Sequence, residues 1–461
     1  MQDGWAGGAR RRARTTGVLV VGCALLLTGC SGEGEGEDRP ATAAHRTGEQ
    51  VPALPVPRGD GSQLAARGDD FNGDGLRDLV LDDLVHDGHG DDAGIGIAYG
   101  TRRGIGAGAR HLLVPAERAA PTKGERPAAF DAAASCDLDG DGFTDLVVAT
   151  DPPYDGIGQP PVPVQLLFGS PGGLTGKAVK LAIPATARYG NEWPDQPVCG
   201  DFDGDGANDL VVHASNAQIG FLRGPFSSGK SKRGKAGAPR SGKVLKAPGT
   251  VLRGPALDVN RDGYDDFVVR ASGGRSRSGL VLGGPAGPTR TGAVFPAGQD
   301  LAFGAFGWGA ARDAAVATGP KGPGIVLRYD LPGTRRSTLA APGAPAATVR
   351  ATVRAGDFDG DGRAELVVAT GRSAELRVHT GRTRGPSAAA VTTVSPPADG
   401  TTDLVALADF DGDDRDELVV RTHRGETRDT VAVYRGTKDG LARKPVTTFS
   451  TSLFVPRGVS K

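Results

Sequence analysis

A nine-residue acidic motif recurs along the chain and constrains its fold more than any other feature of the sequence. Its clearest copy reads DLDGDGFTD at residues 137–145 and runs directly into the apolar residues LVV. Carboxylates stand at positions 1, 3, 5 and 9, and Ca²⁺ takes about six to eight such oxygen ligands. Glycines at positions 4 and 6 allow the positive φ angles that a tight loop around an ion requires. The motif therefore predicts a calcium-binding loop.

Repetition of this motif predicts a repeat architecture. The intact copies, loops 1–4, 6 and 7, begin at Asp70, Asp137, Asp201, Asp258, Asp357 and Asp409. A decayed copy at residues 305–313, loop 5, keeps only the final acid, Asp313, and is expected to bind no metal. Successive copies begin about 47 to 67 residues apart, which is the spacing of one supersecondary unit per repeat.

Every intact loop offers side-chain oxygens at positions 1, 3, 5 and 9. By analogy with other calcium loops, the backbone carbonyl at position 7 adds a further ligand. We therefore predict up to six Ca²⁺ ions. The predicted ligands are Asp70, Asn72, Asp74, Leu76 and Asp78; Asp137, Asp139, Asp141, Phe143 and Asp145; Asp201, Asp203, Asp205, Ala207 and Asp209; Asp258, Asn260, Asp262, Tyr264 and Asp266; Asp357, Asp359, Asp361, Arg363 and Glu365; and Asp409, Asp411, Asp413, Arg415 and Glu417.

Position 12 distinguishes these loops from EF-hands, which carry a bidentate Glu there between two helices. Here the position is apolar in every intact copy and begins or continues a β-branched run, which indicates a strand. The loop therefore joins two strands. The residues at position 12 are Leu81, Val148, Val212, Val269, Val368 and Val420.

The repeats read as strands, and no helix-period segment of useful length occurs. In the second repeat the predicted strands are 128–135, 146–150, 164–168 and 178–183, and a turn such as Tyr99-Gly100 in the first repeat follows the third strand. Four strands per repeat, seven times, predict an all-β fold, a seven-bladed β-propeller. Closing the ring removes the exposed sheet edges that an open stack would present.

The motif D-x-[DN]-x-D-G-x-x-[DE]-[LF]-V and the turn after the third strand resemble the FG-GAP (VCBS-type) repeats of the integrin α-chain propeller and of many secreted bacterial proteins. The resemblance covers residues 60–461. It implies that each loop joins the first and second strands of a blade and binds Ca²⁺. Two loops depart from the glycine pattern: Arg261 replaces the first glycine of loop 4, and Asp414 replaces the second glycine of loop 7. Glu365 and Glu417 are one methylene longer than the usual Asp at position 9.

The first 30 residues are predicted to be an export signal. Arginines at residues 10–14 precede a short apolar stretch, 17–27, which ends in LTGC. This tetrapeptide resembles a bacterial lipobox, which implies that Cys30 is lipidated and anchors an exported protein on the outer side of the cell membrane. Residues 31–59 are rich in Gly, Glu, Pro and Ala and are predicted to be a disordered tether.

Four cysteines remain to be assigned. Cys23 lies in the signal and Cys30 in the lipobox. Cys136 and Cys199 stand at matched places before loops 2 and 3, and an exported protein forms disulfides. We expect a bond between them, with two separate buried thiols as the alternative.

Two insertions interrupt the repeats. Residues 82–92 contain His86 and His89, which are either an additional metal site or, as we favour, part of a polar hairpin tip. Residues 224–246 are rich in Lys, Arg, Gly and Ser, which predicts a disordered surface loop. Contact of this loop with an anionic cell-wall polymer is the alternative.

Composition and missing motifs exclude several functions. Lys plus Arg and Asp plus Glu both number 54, so the formal net charge is zero and no basic face indicates nucleic-acid binding. No H-E-x-x-H, G-x-S-x-G or P-loop motif is present, so we predict no enzyme. The leading hypothesis is a monomeric cell-surface module for binding, adhesion or scaffolding, with an unknown protein or glycan ligand. The alternatives are a glycan-binding lectin and a polysaccharide-active lyase or hydrolase, since distant carboxylates can converge in a propeller.

Overall fold

A computed structural model describes residues 57, 68–84, 93–190, 193–214, 218–229, 234–247, 249–252, 254, 256–271, 277–307, 309, 311–318, 324–333, 335–339, 351–370, 375–424 and 428–455. All of them belong to one compact unit, Gln50–Lys461. The predicted signal, Cys30, His86 and His89 lie outside the described residues. Among the described residues, none of the helices has the length and apolar character needed to cross a membrane.

Seven antiparallel sheets follow one another along the chain, and each is one blade of a β-propeller. The apolar runs after the acidic loops form the second strand of blades 2–7 and the first described strand of blade 1; Asp145–Ala149, for example, is buried at all five residues. A strand buried on both faces needs apolar side chains in sequence, which explains these runs. The predicted all-β, seven-bladed propeller is confirmed.

Blades 1–4 contain the first fifteen strands. Blade 1 has three strands among the described residues, and blades 2–4 have four each. The strands are Leu79–Leu81, Ile95–Ala98 and Arg110–Leu113; Asp131–Cys136, Asp145–Ala149, Val164–Leu167 and Val179–Lys180; Val198–Gly200, Asp209–Ala214, Gln218–Arg223 and Ser241–Lys246; and Gly249–Val251, Phe267–Ala271, Ser278–Leu282 and Arg290–Phe295.

Blades 5–7 have four strands each, and blade 7 carries an extra two-stranded hairpin before its last strand. Helix is limited to one α-helical turn and two 3₁₀ turns in the described chain. The strands of these blades are Gly298–Gly304, Asp313–Thr318, Ile325–Arg328 and Arg336–Leu339; Ala351–Gly356, Glu365–Thr370, Leu376–His379 and Val391–Val394; and Thr401–Ala408, Glu417–His423, Thr430–Tyr434 and Thr447–Ser450, with the hairpin Gly436–Thr437 and Gly440–Leu441 and the helical turns Pro115–Arg118, Ala185–Ala187 and Thr451–Leu453.

The core lies between neighbouring blades as seven apolar clusters. One of them closes the ring, since Leu79 and Leu81 of blade 1 pack with Val433 and Phe449 of blade 7. Contact there is close: a Cβ on Gly96 of blade 1 would stand 2.8 Å from the Phe454 ring. The closed arrangement brings all seven loops, each leading into the strand that follows its motif, to the same end of the propeller.

One expectation for the insertions was wrong. Residues 224–246 were expected to form a disordered loop, but Ser241–Lys246 is the outer strand of blade 3 and pairs with Gln218–Arg223. Lys243 and Lys246 are exposed on it, whereas Val244 and Leu245 are half-buried. Lysines on an edge strand discourage pairing with another chain, so positive charge here is compatible with a strand.

Candidate metal-binding loops

An apolar side chain at position 2 anchors each acidic loop. This residue is at most 2% exposed in all seven blades, so it fixes the loop onto the interface between blades. Its burial explains why an apolar residue interrupts an otherwise polar motif. The seven residues are Phe71, Leu138, Phe202, Val259, Phe306, Phe358 and Phe410.

The position-1 carboxylate holds the turn together. In loop 2, Asp137 accepts hydrogen bonds from the backbone N–H groups of Gly140 at 2.8 Å, Asp141 at 3.2 Å and Gly142 at 2.9 Å. Both glycines have positive φ, 74° and 90°. Arg261 and Asp414 adopt the same left-handed conformation, with φ of 59° and 63°, so loops 4 and 7 keep the turn without glycine.

At position 9, the carboxylate joins the loop to the turn after the third strand. In blade 2, Asp145 accepts from the N–H of Leu138 at 2.8 Å and from that of Gly169, also at 2.8 Å. In blade 7, Glu417 accepts from Phe410 at 2.9 Å, and its Oε1 is buried without a hydrogen-bond partner. The acids that make both bonds in the other blades are Asp78, Asp209, Asp266, Asp313 and Glu365.

Burial dominates the protonation of these acids. It raises the pKa of Asp209 and Asp266 to about 7 and that of Glu417 to about 8, because an ionised carboxylate loses hydration. Neighbouring loop carboxylates raise the pKa further, and the hydrogen bonds from backbone N–H groups oppose the rise. A cation in the loop would favour the ionised form.

The position-3 carboxylate belongs to an acidic cluster in four loops. In loops 2, 3 and 7 the cluster joins positions 1, 3 and 9, and in loop 6 it joins positions 1, 3 and 5; the ligand atoms of each group lie within 4.8 Å of one another. Position 3 contributes a buried oxygen without a hydrogen-bond partner in three of these loops, namely Asp139 Oδ1, Asp203 Oδ1 and Asp411 Oδ1. Leaving such oxygens unpaired is costly, so they favour a cationic ligand.

Asparagine replaces aspartate at position 3 of loops 1 and 4. The amide of Asn72 donates to Asp74 Oδ2 at 3.1 Å, and the amide of Asn260 donates to Asp262 Oδ2 at 3.1 Å. These loops therefore carry less negative charge than loops 2, 3, 6 and 7. Their side-chain oxygens are still hard donors that suit the same class of cation.

In two of the acidic clusters, one arginine bridges the carboxylates at positions 3 and 5. Arg223 contacts Asp203 Oδ2 through Nε and Asp205 Oδ2 through Nη2 at 2.9 Å. In the same way, Arg435 Nη2 lies 2.9 Å from Asp411 Oδ2 and 3.0 Å from Asp413 Oδ2. Loops 3 and 7 thus contain an internal cation.

Blade 5 keeps the structural part of the motif without its acidic cluster. Asp313 is fully buried and accepts from the N–H groups of Phe306 at 2.8 Å and Asp330 at 2.7 Å. The carboxylate of Asp330 lies against Gly309, where an added Cβ would stand 2.1 Å from its Oδ1. A side chain from the following turn therefore occupies space inside this loop.

Contacts between loops link consecutive blades. Position 8 of one loop donates its N–H to the position-1 carbonyl of the preceding loop, as from Thr144 to Asp70 at 2.9 Å and from Asp416 to Asp357 at 2.8 Å. Next to this contact, the structure joins Cys136 and Cys199 in a disulfide with a Cα–Cα distance of 6.3 Å. The bond ties the first strands of blades 2 and 3 immediately before their loops.

The donor set fits a hard divalent cation. Each cluster offers carboxylate oxygens around a bent backbone, which is the chemistry that Ca²⁺ prefers. The acids at positions 1, 3, 5 and 9 would hold it, whereas the position-7 carbonyls remain predicted ligands. The acidic clusters can therefore bind metal ions.

Comparison with known families identifies repeats that contain four of the loops. The model of the FG-GAP-like repeat matches residues 137–212 and 357–420. These segments contain loops 2, 3, 6 and 7, the loops with acidic clusters. The chain contains FG-GAP-like repeats. No curated protein matches it.

Solved structures similar to this FG-GAP repeat chain have low sequence identity. BBS1N in complex with ARL6DN is 14% identical over 88% of this chain and 94% of that one, with a TM-score of 0.41. The Photorhabdus luminescens Tc holotoxin pore is 15% identical over 78% of this chain and 16% of that one, at 0.34. An Agrocybe aegerita lectin that recognises non-reducing terminal N-acetylglucosamine is 13% identical over 84% of both chains, at 0.33.

Sequence reasoning missed two kinds of residue in the site. It did not find Arg223 and Arg435, although both immediately precede the turn glycine and alignment of the repeats would have matched them. It also treated position 9 as a metal ligand alone, whereas the structure shows that this acid links two backbone segments in blades 1–6.

Proposed function

We propose that this FG-GAP repeat protein is a calcium-stabilised propeller that serves as a monomeric binding or scaffold module rather than as an enzyme. The observation that carries the proposal is the buried, unpaired position-3 oxygen of loops 2, 3 and 7 inside an acidic cluster. The surrounding structure already orders the loop, so a cation would bind to oxygens that are held in place. Its role would be to stabilise the interfaces between blades.

Charge supports this assignment. In loop 2, burial and the neighbouring Asp139 raise the pKa of Asp141 to about 6, since the loop concentrates like charges where water is partly excluded. Ca²⁺ would remove this repulsion and hold the first strand of the blade to the second. The position-9 acids of loops 1–6 each link two backbone segments, which favours a structural ion over a catalytic one.

Calcium titration of the full chain by isothermal calorimetry tests the proposal. Asp139→Ala should remove one bound ion because it deletes the unpaired oxygen of loop 2. The matched control is Asp313→Ala, which alters the equivalent framework in blade 5 and should leave the number of ions unchanged. Absence of calcium binding to the wild-type protein would refute the proposal.

The propeller is proposed to lie on the outer side of the cell membrane, where a lipid on Cys30 anchors it. The lipobox-like LTGC sequence and the Gly- and Glu-rich stretch that follows support this placement. Cys30→Ser should move the protein from the membrane fraction to the medium or the soluble fraction. Retention of the variant in washed membranes without detergent would contradict the anchor.

Glycan binding is a second candidate, favoured by an aromatic pair on blade 2. Tyr154 and Trp193 meet edge to face with ring centroids 5.5 Å apart, and Trp193 is 37% exposed. Ile157, in the same segment as Tyr154, is 81% exposed. Trp193→Ala should abolish binding on a glycan array, with Val294→Ala as the control at another exposed apolar site. An array without signal for the wild-type protein would rule out this candidate.

A further inference from the structure

Arg223 and Arg435 occupy equivalent places in blades 3 and 7. In blade 3, Arg223 comes directly after Leu222, which pairs with Leu210 near the start of the second strand. In blade 7, Arg435 comes directly after Tyr434, which pairs with Leu418 at the corresponding place. Each also precedes the turn glycine. The same position is Phe168 in blade 2 and Thr380 in blade 6. An arginine here is therefore not required by the fold.

Both guanidinium groups bridge the position-3 and position-5 carboxylates of their own loops. The carboxylate side chains that they meet at position 3 are nearly inaccessible, with 2% exposure for Asp203 and 5% for Asp411. The guanidinium groups are 34% and 46% exposed, so solvent weakens each single pair, but each arginine contacts two carboxylates of its loop at once. Arginine also stays charged at every relevant pH.

Loop 2 lacks this arrangement. No described lysine or arginine forms an ion pair with Asp139, whose Oδ1 is buried without a partner. In loop 6, Arg363 contacts Asp361 at 3.0 Å, but Asp359 is not part of that pair. The four acidic loops therefore divide into two with a bridging arginine and two without one.

We propose that Arg223 and Arg435 are internal counter-cations that weaken calcium binding at loops 3 and 7, leaving loops 2 and 6 as the tighter sites. A Ca²⁺ ion entering loop 3 or 7 must either displace the guanidinium from two carboxylates or share them with a neighbouring positive charge. Both routes lower affinity. Without calcium, the same arginines neutralise the cluster and keep blades 3 and 7 ordered. This inference rests on the proposed calcium binding.

Calorimetric titration of the double variant Arg223→Gln, Arg435→Gln tests the inference. Loops 3 and 7 should bind calcium about tenfold more tightly, because close charge pairs couple at about this level and each loop loses a positive charge that contacts two of its carboxylates. Two sites should thus move from the weak class to the tight class. The metal-free variant should also melt at a lower temperature than the metal-free wild type, since it has lost both counter-cations.

Two further variants complete the experiment. Arg240→Gln is the control, because Arg240 is 63% exposed and only approaches Asp205 at 3.4 Å; it should leave both readouts unchanged. Thr380→Arg supplies the missing guanidinium to loop 6 and should cost one tight site, which keeps the test decisive if the double variant fails to fold. Unchanged or weaker binding in the double variant, or an unaffected loop 6 in Thr380→Arg, would overturn the inference. Absence of calcium binding at every loop would instead refute the proposed function.

Discussion

Asp313 offers a way to separate the architecture of the loop from metal binding. Blade 5 has no acidic cluster among its described residues, yet Asp313 keeps the two hydrogen bonds of a position-9 acid. Asp313→Ala would leave the N–H groups of Phe306 and Asp330 without this acceptor. Each unsatisfied buried group costs about 1–3 kcal/mol, so we expect a loss of roughly 2–6 kcal/mol in the free energy of unfolding.

Urea unfolding followed by tryptophan fluorescence measures this loss, in calcium and in metal-free buffer. The destabilisation should be equal in both, since no ion is bound at blade 5. Asp313→Asn preserves the shape and one acceptor and should lose about half as much. A loss below about 0.5 kcal/mol for Asp313→Ala, within the range of an ordinary surface substitution, would refute the structural role of position 9.

Three further predictions follow from the loops. Arg261→Gly should stabilise the protein by about 1 kcal/mol in urea unfolding, because it relieves a left-handed residue at φ of 59°; an unchanged midpoint would contradict this strain. Mass spectrometry of the unreduced protein should find Cys136 linked to Cys199, whereas alkylation of both thiols in denaturant would disprove the bond. In metal-free protein, stability should fall between about pH 4 and pH 7, because burial raises the pKa of acids such as Asp209 to about 7 and the folded state then binds more protons than the unfolded one. Calcium should flatten this dependence in melting experiments, and a rise of metal-free stability over the same range would reverse the assigned sign.

Much of the fold could be predicted from the sequence because the same short motif occurs at the same place in each repeat. The motif marks the junction of the first two strands, and the apolar residues after position 9 mark the second strand. The outer strands were harder to place. Ser241–Lys246 mixes lysines with Val244 and Leu245, and its pairing with Gln218–Arg223 depends on contacts across the blade rather than on a local pattern.

The sequence predicted which acidic residues form the site, but not the contacts that other side chains make with them. Spacing alone brings Asp137, Asp139 and Asp145 together, since they lie on one short loop. Spacing cannot show that Arg223 returns to Asp203 from the third strand, because that contact depends on the register of the sheet. Nor can it show that Asp330 fills the degenerate loop of blade 5.

Thermal unfolding of the full chain with and without bound calcium tests the central claim most directly. One ion at a hundredfold excess over its Kd stabilises the folded state by about 2.7 kcal/mol, and four loops carry acidic clusters. The account predicts that excess chelator at neutral pH lowers the melting temperature sharply and that calcium restores it, with several ions per chain found by metal analysis. An unchanged melting curve in chelator, together with no calcium in the purified protein, would contradict it.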